Sequence, residues 1–257
     1  MTTPAGTTPA VTTLADLKVK LFTDGAEKAQ IVDMAKLPFI AGFTTNPSLL
    51  RKAGVTDYEG YARDLLQAVP DRSISFEVIS DDIAEMEEQA RLIASWGPNV
   101  YVKLPVTTSR GEPLYDLVHK LSHEGIKINF TVIFADDQVT HASEALRGGA
   151  PAYVSVFAGR LADCGIDYMP TMRYAVGLAR GTDNIEVIWA STREVWNVIE
   201  ADRIGCHIIT APADILKKLS GLGGTAEQLS LDGVKAFVKD TAAAGLSLDT
   251  RRRSAAE

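Results

Sequence analysis

The stretch Ile74-Ser-Phe-Glu-Val78, Asp82-Ile-Ala-Glu-Met-Glu-Glu-Gln-Ala-Arg-Leu-Ile93 and Val100-Tyr-Val-Lys-Leu-Pro-Val106 holds one complete structural unit. Its first and last runs are short and rich in β-branched and aromatic residues, which predicts buried strands. The middle run repeats apolar residues three and four positions apart, which predicts a helix with one apolar face. Met86 falls on that helix as a flexible gap-filler. A strand, a helix and a second strand in this order predict a parallel β-α-β unit.

The same rhythm continues in both directions. Counting the two strands already named, there are eight β-rich runs: 19–23, 39–44, 74–78, 100–104, 126–132, 153–156, 186–189 and 206–210, with helical patterns between them. Eight such units in a chain of 257 residues match the size of a single (β/α)8 TIM barrel, an α/β fold with its sheet closed on itself. A doubly wound open sheet is the alternative. No linker rich in Pro, Gly and Ser interrupts the alternation. The expected organisation is therefore a disordered tail over 1–15, a barrel over 16–248 and a charged tail over 249–257. Within the last part of the barrel, Asp232-Gly-Val-Lys-Ala-Phe-Val-Lys-Asp-Thr241 reads as an amphipathic helix able to close the barrel or dock on a neighbour.

Composition narrows the class of function. A net charge of −7 argues against broad contact with nucleic acid or an anionic membrane, while leaving room for a local basic pocket. Cys164 and Cys206 are too few for a disulfide framework. The opening residues lack the basic and apolar regions of a signal peptide, and no apolar run is long enough to span a bilayer. The expected compartment is the cytoplasm.

Lys103 stands alone among apolar neighbours in a predicted strand. Its stem could pack while its head reaches water, or burial could favour the neutral amine, which attacks carbonyls to form Schiff bases. In a barrel, chemistry gathers at the carboxyl ends of the strands. Those ends carry Asp24, Thr44-Thr45-Asn46, Glu77, Lys103, Asn129 with Thr131, Ser155 with Arg160, Ser191 with Arg193, and Thr210. Each has an ordinary reading by itself: Asp24 and Ser191 as helix caps, and Asn46-Pro47-Ser48 as a turn. The two arginines could pair with surface carboxylates, or their planar forks could take a phosphate.

Four patterns, Leu21-Phe-Thr-Asp24, Gly42-Phe-Thr-Thr-Asn-Pro-Ser48, Val100-Tyr-Val-Lys-Leu-Pro-Val-Thr107 and Ala190-Ser-Thr-Arg193, together resemble the transaldolase family of Schiff-base sugar-phosphate enzymes. The likeness runs over nearly everything between the tails. It implies a (β/α)8 barrel, no cofactor and no metal, sugar-phosphate substrates, and a homo-oligomer. By the same likeness Lys103 matches the Schiff-base lysine and Asp24 the general acid/base. Glu77 and Thr131 match the water-positioning pair; Thr44, Thr45, Asn46, Asn129, Ser155 and Phe157 match substrate-binding positions. Arg160, Ser191 and Arg193 match the phosphate site. The close aldolase branch tends to carry glutamine and tyrosine where Glu77 and Phe157 stand, so these positions, with Asn129-Phe-Thr131, point to a transaldolase of carbohydrate metabolism, as in the pentose phosphate pathway. A fructose-6-phosphate aldolase, a transferase specialised for a modified sugar such as a sulfonated one, and a non-enzymatic sugar-phosphate-binding barrel are the other readings. Gly25-Ala26 and Thr192 depart from the family pattern and bear on which donor and acceptor fit.

Two further motifs read as ordinary structure. His119 and His123 lie one turn apart on a predicted helix with no third ligand evident. Gly221-Leu-Gly-Gly-Thr225 follows a helix instead of a first strand and reads as a turn, not as a dinucleotide fingerprint.

Overall fold

The computed structural model of the protein describes residues 13–248; the tail expectations for 1–12 and 249–257 lie outside the described residues. Eight strands, β1 (Lys20–Asp24), β2 (Ile40–Thr44), β3 (Ser73–Glu77), β4 (Val100–Pro105), β5 (Ile128–Ile133), β6 (Ala152–Val156), β7 (Ile185–Trp189) and β8 (Ile208–Pro212), form a closed barrel in sequence order. Every neighbouring pair is parallel, including β1 with β8. The fold is thus the (β/α)8 barrel, and the open doubly wound sheet is excluded.

Helices α1 (Lys28–Ala35), α2 (Pro47–Lys52), α3 (Tyr58–Ala68), α4 (Ile83–Ala94), α5 (Tyr115–His123), α6 (Asp136–Leu146), α7 (Ala158–Asp163), α8 (Met169–Ala179), α9 (Val195–Ile204) and α10 (Ala213–Lys217) connect and follow the strands. Sequence chemistry places their starts. The side chains of Asn46, Asp57 and Asp82 accept hydrogen bonds from the backbone N–H groups of Leu49, Gly60 and Glu85, each satisfying a donor that the first turn leaves free. The predicted Asn46-Pro47-Ser48 turn is therefore the start of α2, with Pro47 in the first turn where a missing N–H does no harm. The last strand begins two residues later than its apolar run suggests, because Gly205 ends α9 in the left-handed region at φ 74° and the chain bends again at His207 before pairing starts.

The strand interiors are buried almost throughout, as expected for parallel strands covered on both faces. Inside the barrel, Phe22, Tyr153, Ile188, Ala190 and Ile208 pack together with Tyr101 and Phe157. The Tyr101 and Tyr153 rings stack at 3.9 Å. Gly42 makes room for this plug, since a Cβ there would lie 2.5 Å from the Phe22 ring. Lys20 and Glu186 pair at 2.7 Å, one on β1 and the other on β7.

The compact unit of the barrel is Ala15–Leu219. A second unit includes the segment from Ser220, where the Gly221–Thr225 stretch leads into helix α11 (Ala226–Ala243), capped by the Thr225 side chain. The predicted helical pattern at 232–241 lies inside α11, and its Val234, Phe237 and Val238 are exposed. No helix among the described residues is long and apolar enough to cross a membrane. Cys164 is exposed and Cys206 buried, and both are free thiols. His119 and His123 sit on α5 with Nδ1 atoms facing the Ala145 and His119 carbonyls, and no group of three His, Cys, Asp or Glu gathers among the described residues.

Candidate active site

Parallel register decides which side chains share a layer inside the barrel. Glu77 pairs with Lys103 across β3 and β4, and Lys103 pairs with Asn129 across β4 and β5. Asp24 pairs with Thr44 across β1 and β2. Inward-facing positions at the carboxyl ends of these strands therefore converge without any loop having to carry them. They line a cavity of about 500 Å³ formed by Asp24, Thr44, Asn46, Glu77, Lys103, Asn129, Thr131, Ser155, Phe157, Arg160, Ser191, Arg193 and Thr210, together with Pro47, Ser48, Leu49, Lys52, Val132 and Ala190.

Lys103 is 6% exposed, which answers the first question about it: the head does not reach out to solvent. Its Nζ donates to the Thr45 carbonyl at 3.0 Å and lies 3.1 Å from Glu77 Oε2. Glu77 is itself held by its backbone, whose N–H donates to Tyr58 Oη while the Tyr58 hydroxyl donates to the Glu77 carbonyl. A carboxylate this close can accept a proton from the ammonium and leave the amine free to react.

Asp24 is half-buried, and the desolvation of its carboxyl pushes its pKa up; the positive charge of Lys103 and a hydrogen bond from Thr44 pull the other way with smaller effect. The Thr44 hydroxyl donates to Asp24 Oδ1 at 2.8 Å and shares a 2.6 Å contact with the Thr210 hydroxyl. Thr44 has one proton to give, so with that proton on Asp24 the Thr210 hydroxyl is the donor in the second contact. Two threonines thus fix one carboxylate oxygen and leave the other for a reactant.

On the facing wall the Asn129 amide donates to Ser75 Oγ at 2.9 Å and accepts from Ser155 Oγ at 2.6 Å. The Thr131 hydroxyl is buried and has no hydrogen-bond partner among the described residues. Pairing of β5 with β6 shifts between Phe130 and Ile133, and Val132 adopts a φ of 64° there. A β-branched residue in the left-handed region is strained. The irregularity brings both Thr131 and Val132 to the cavity wall, where strict alternation would turn one of them away.

Arg160 and Arg193 supply positive charge on the β6 and β7 side. The Arg160 guanidinium stacks on the Phe157 ring at 5.1 Å from its centre. Ser191 is the second non-glycine residue with positive φ, also 64°. Its carbonyl packs so tightly on Gly159 that a Cβ at that position would lie 1.6 Å from the oxygen. We therefore expect Gly159→Ala to force the 191–193 loop away from α7. The expected loss is about 1–3 kcal/mol of stability, read as a lowered Tm, together with weaker binding of anionic ligands.

Two sequence expectations change. Thr45 does not line the cavity: its hydroxyl is buried against the Ser75 carbonyl at 2.8 Å, and what it offers the site is its own carbonyl, to Lys103. Thr192 is likewise withdrawn, donating to the Thr210 carbonyl at 2.7 Å. Gly25 and Ala26 line an adjoining cavity that shares Asp24, Leu49 and Lys52 with the main one. Ser48 and Lys52 were not anticipated. They lie four apart on α2, a spacing that places them on one helix face once Asn46-Pro47 is read as a helix start.

A sequence profile described as Transaldolase/Fructose-6-phosphate aldolase matches residues 21–251 of this chain. The chain belongs to that family. It is 36% identical over 226 residues to the "Probable transaldolase 2" of Listeria monocytogenes, covering 86% of this chain and 95% of that protein. It is 36% identical over 202 residues to the "Probable transaldolase" of Dehalococcoides mccartyi, covering 78% and 90%. Over 231 residues it is 36% identical to the "Probable transaldolase" of a Thermoanaerobacter species, covering 90% and 100%. A transaldolase-family barrel is thus the setting in which the Lys103, Glu77 and Asp24 geometry is to be understood.

Proposed function

We propose that the protein is a transaldolase in the strict sense, moving a three-carbon dihydroxyacetone unit from a ketose phosphate, fructose 6-phosphate or sedoheptulose 7-phosphate, to an aldose phosphate. The observation that carries this reading is the position of Lys103 Nζ, buried in the cavity 3.1 Å from a carboxylate and in the electrostatic field of Asp24. The names of the relatives support the same direction.

With its proton passed to Glu77, Lys103 attacks the C2 carbonyl of the donor. Loss of water from the carbinolamine gives a protonated imine, which draws electrons from the C3–C4 bond. The free oxygen of Asp24 takes the C4 hydroxyl proton, the bond breaks, an aldose phosphate leaves, and an enamine of three carbons stays on Lys103. A second aldose phosphate accepts the enamine at its carbonyl carbon, Asp24 returns the proton, and hydrolysis of the new imine frees the product. Thr131 and Glu77 hold the water released when the imine forms and the water consumed when the new imine is hydrolysed. Thr44 acts mainly by orienting Asp24, while Asn46, Asn129 and Ser155 hold sugar hydroxyls. Arg160, Ser191 and Arg193 take the phosphate.

Borohydride reduction in the presence of fructose 6-phosphate, followed by peptide mass analysis, tests the reading. The expected result is a three-carbon adduct on Lys103 and turnover only when erythrose 4-phosphate is supplied. An adduct accompanied by free dihydroxyacetone without acceptor would make the protein an aldolase of the same family, and no adduct on any lysine would overturn the Schiff base. Glu77→Gln is expected to lower kcat by about 10²-fold, the low end for loss of a proton-transfer group. Steady-state assay of that variant at saturating donor measures it; an unchanged kcat would remove Glu77 from the proton path.

A further inference from the structure

We infer that Asp163 is a positioning residue for anion recognition, holding the Arg193 guanidinium by one edge so that its remaining donors face the anionic end of the donor sugar. This rests on the phosphate reading above and assigns a role to a residue on which that reading places none.

Asp163 closes α7, the helix that also carries Arg160, and the two lie three residues apart on a single helical turn. From the loop after β7, Arg193 Nε donates to both carboxylate oxygens of Asp163, at 3.0 and 3.1 Å, and Nη2 donates to Oδ2 at 2.6 Å. Nη1 donates to the Ser191 carbonyl at 3.1 Å. A guanidinium has five N–H bonds. Three are engaged here, which leaves one on each Nη for a ligand. The ion pair is exposed, with side chains 45% and 53% accessible, so its contribution to overall stability is small. Its effect is geometric. Without it, a long side chain with many rotamers would have to be ordered by the substrate itself.

The surrounding contacts support the same role. Gly159 seats the Ser191 carbonyl directly on α7, so the acceptor for Nη1 and the helix bearing Asp163 move as one body. Arg160, immediately after Gly159, is braced on Phe157. Both arginines of the site are therefore preset by α7, one from its own sequence and one through Asp163. A screening role makes the opposite prediction: if Asp163 only neutralised Arg193, removing its charge would strengthen the attraction for a phosphate.

The experiment compares wild type, Asp163→Asn, Asp163→Glu and Arg193→Ala with fructose 6-phosphate and with unphosphorylated fructose as donors, and with inorganic phosphate as competitive inhibitor. For Asp163→Asn we expect KM for fructose 6-phosphate and Ki for phosphate to rise about tenfold with kcat within about twofold. The preference for the phosphorylated donor in kcat/KM falls by the same factor. Asp163→Glu, which keeps the carboxylate, restores most of it. An unchanged or lowered KM in folded Asp163→Asn, or an equal loss with both donors, would overturn the inference. If Arg193→Ala abolishes the preference while Asp163→Asn leaves it intact, only the role of Asp163 fails. If Arg193→Ala itself has no effect on the preference, the phosphate reading fails and the inference with it.

Discussion

Lys103→Arg is expected to reduce turnover by about 10⁵-fold or more, the scale seen when a covalent nucleophile is removed, while leaving the barrel folded. Arginine keeps a positive charge opposite Glu77 but stays protonated and cannot form the imine. Lys103→Met removes the charge as well. It should lose the same activity and also some stability, because Glu77 would keep its carboxylate in the cavity without the partner now 3.1 Å away. Breaking a fully buried pair costs about 3–5 kcal/mol; the Glu77 side chain is 15% exposed, so a smaller loss is expected. The comparison separates chemistry from structure. Both variants should give no adduct on borohydride reduction with fructose 6-phosphate, and only the methionine variant should show a clearly lowered Tm. Retention of more than about one per cent of wild-type kcat in either, far above the residue expected for a lost nucleophile, would show that Lys103 does not carry the substrate.

Much of this architecture is written in short-range patterns. Eight apolar runs separated by helical periodicity specify strands and helices locally, and the rule that barrels work at their strand ends then selects Asp24, Glu77, Lys103 and Asn129 from among many polar residues. What local pattern does not contain is which neighbour faces which. Thr44 and Thr45 are adjacent, yet one reaches the cavity and the other, just past the end of β2, turns to the Ser75 carbonyl, because successive residues of an extended chain point to opposite sides. The Thr44–Thr210 contact joins residues 166 apart and exists only because the barrel closes between β1 and β8. Asp163 is equally silent in sequence, since an acidic residue near a helix end is commonplace until Arg193 is seen to reach it from the loop after β7. The stacked Tyr101 and Tyr153 depend on register between β4, β5 and β6. Strain at Val132 and Ser191 has no sequence signature, as neither residue type favours positive φ.

Asp24→Asn provides the second large effect and tests two consequences of the same burial. As the proposed base for the C4 proton, Asp24 should be worth about 10²–10⁴ in kcat, whereas imine formation, assigned in that proposal to Lys103 and Glu77, should survive. The variant is expected to accumulate a trappable six-carbon adduct that wild type would cleave. Burial also raises the pKa of Asp24 in the folded chain above its value in the unfolded one. Its contribution to stability is therefore present at pH below the ordinary carboxylate range and is lost as pH rises through the folded value, where an unfavourable buried charge forms. Asparagine carries no such charge and still accepts a hydrogen bond from Thr44. The variant should thus have a higher Tm than wild type at neutral pH, with the difference shrinking on acidification, a trade of stability for activity of the kind active sites make. For the same reason the acid limb of wild-type kcat/KM should lie above the usual carboxylate range. Thermal melts across the acidic range, together with the mass of the trapped species, check both. A Tm difference independent of pH would mean that the carboxylate is stabilised by its neighbours as fully as by water, and a variant that forms no adduct would move Asp24 from bond cleavage to the steps that build the imine.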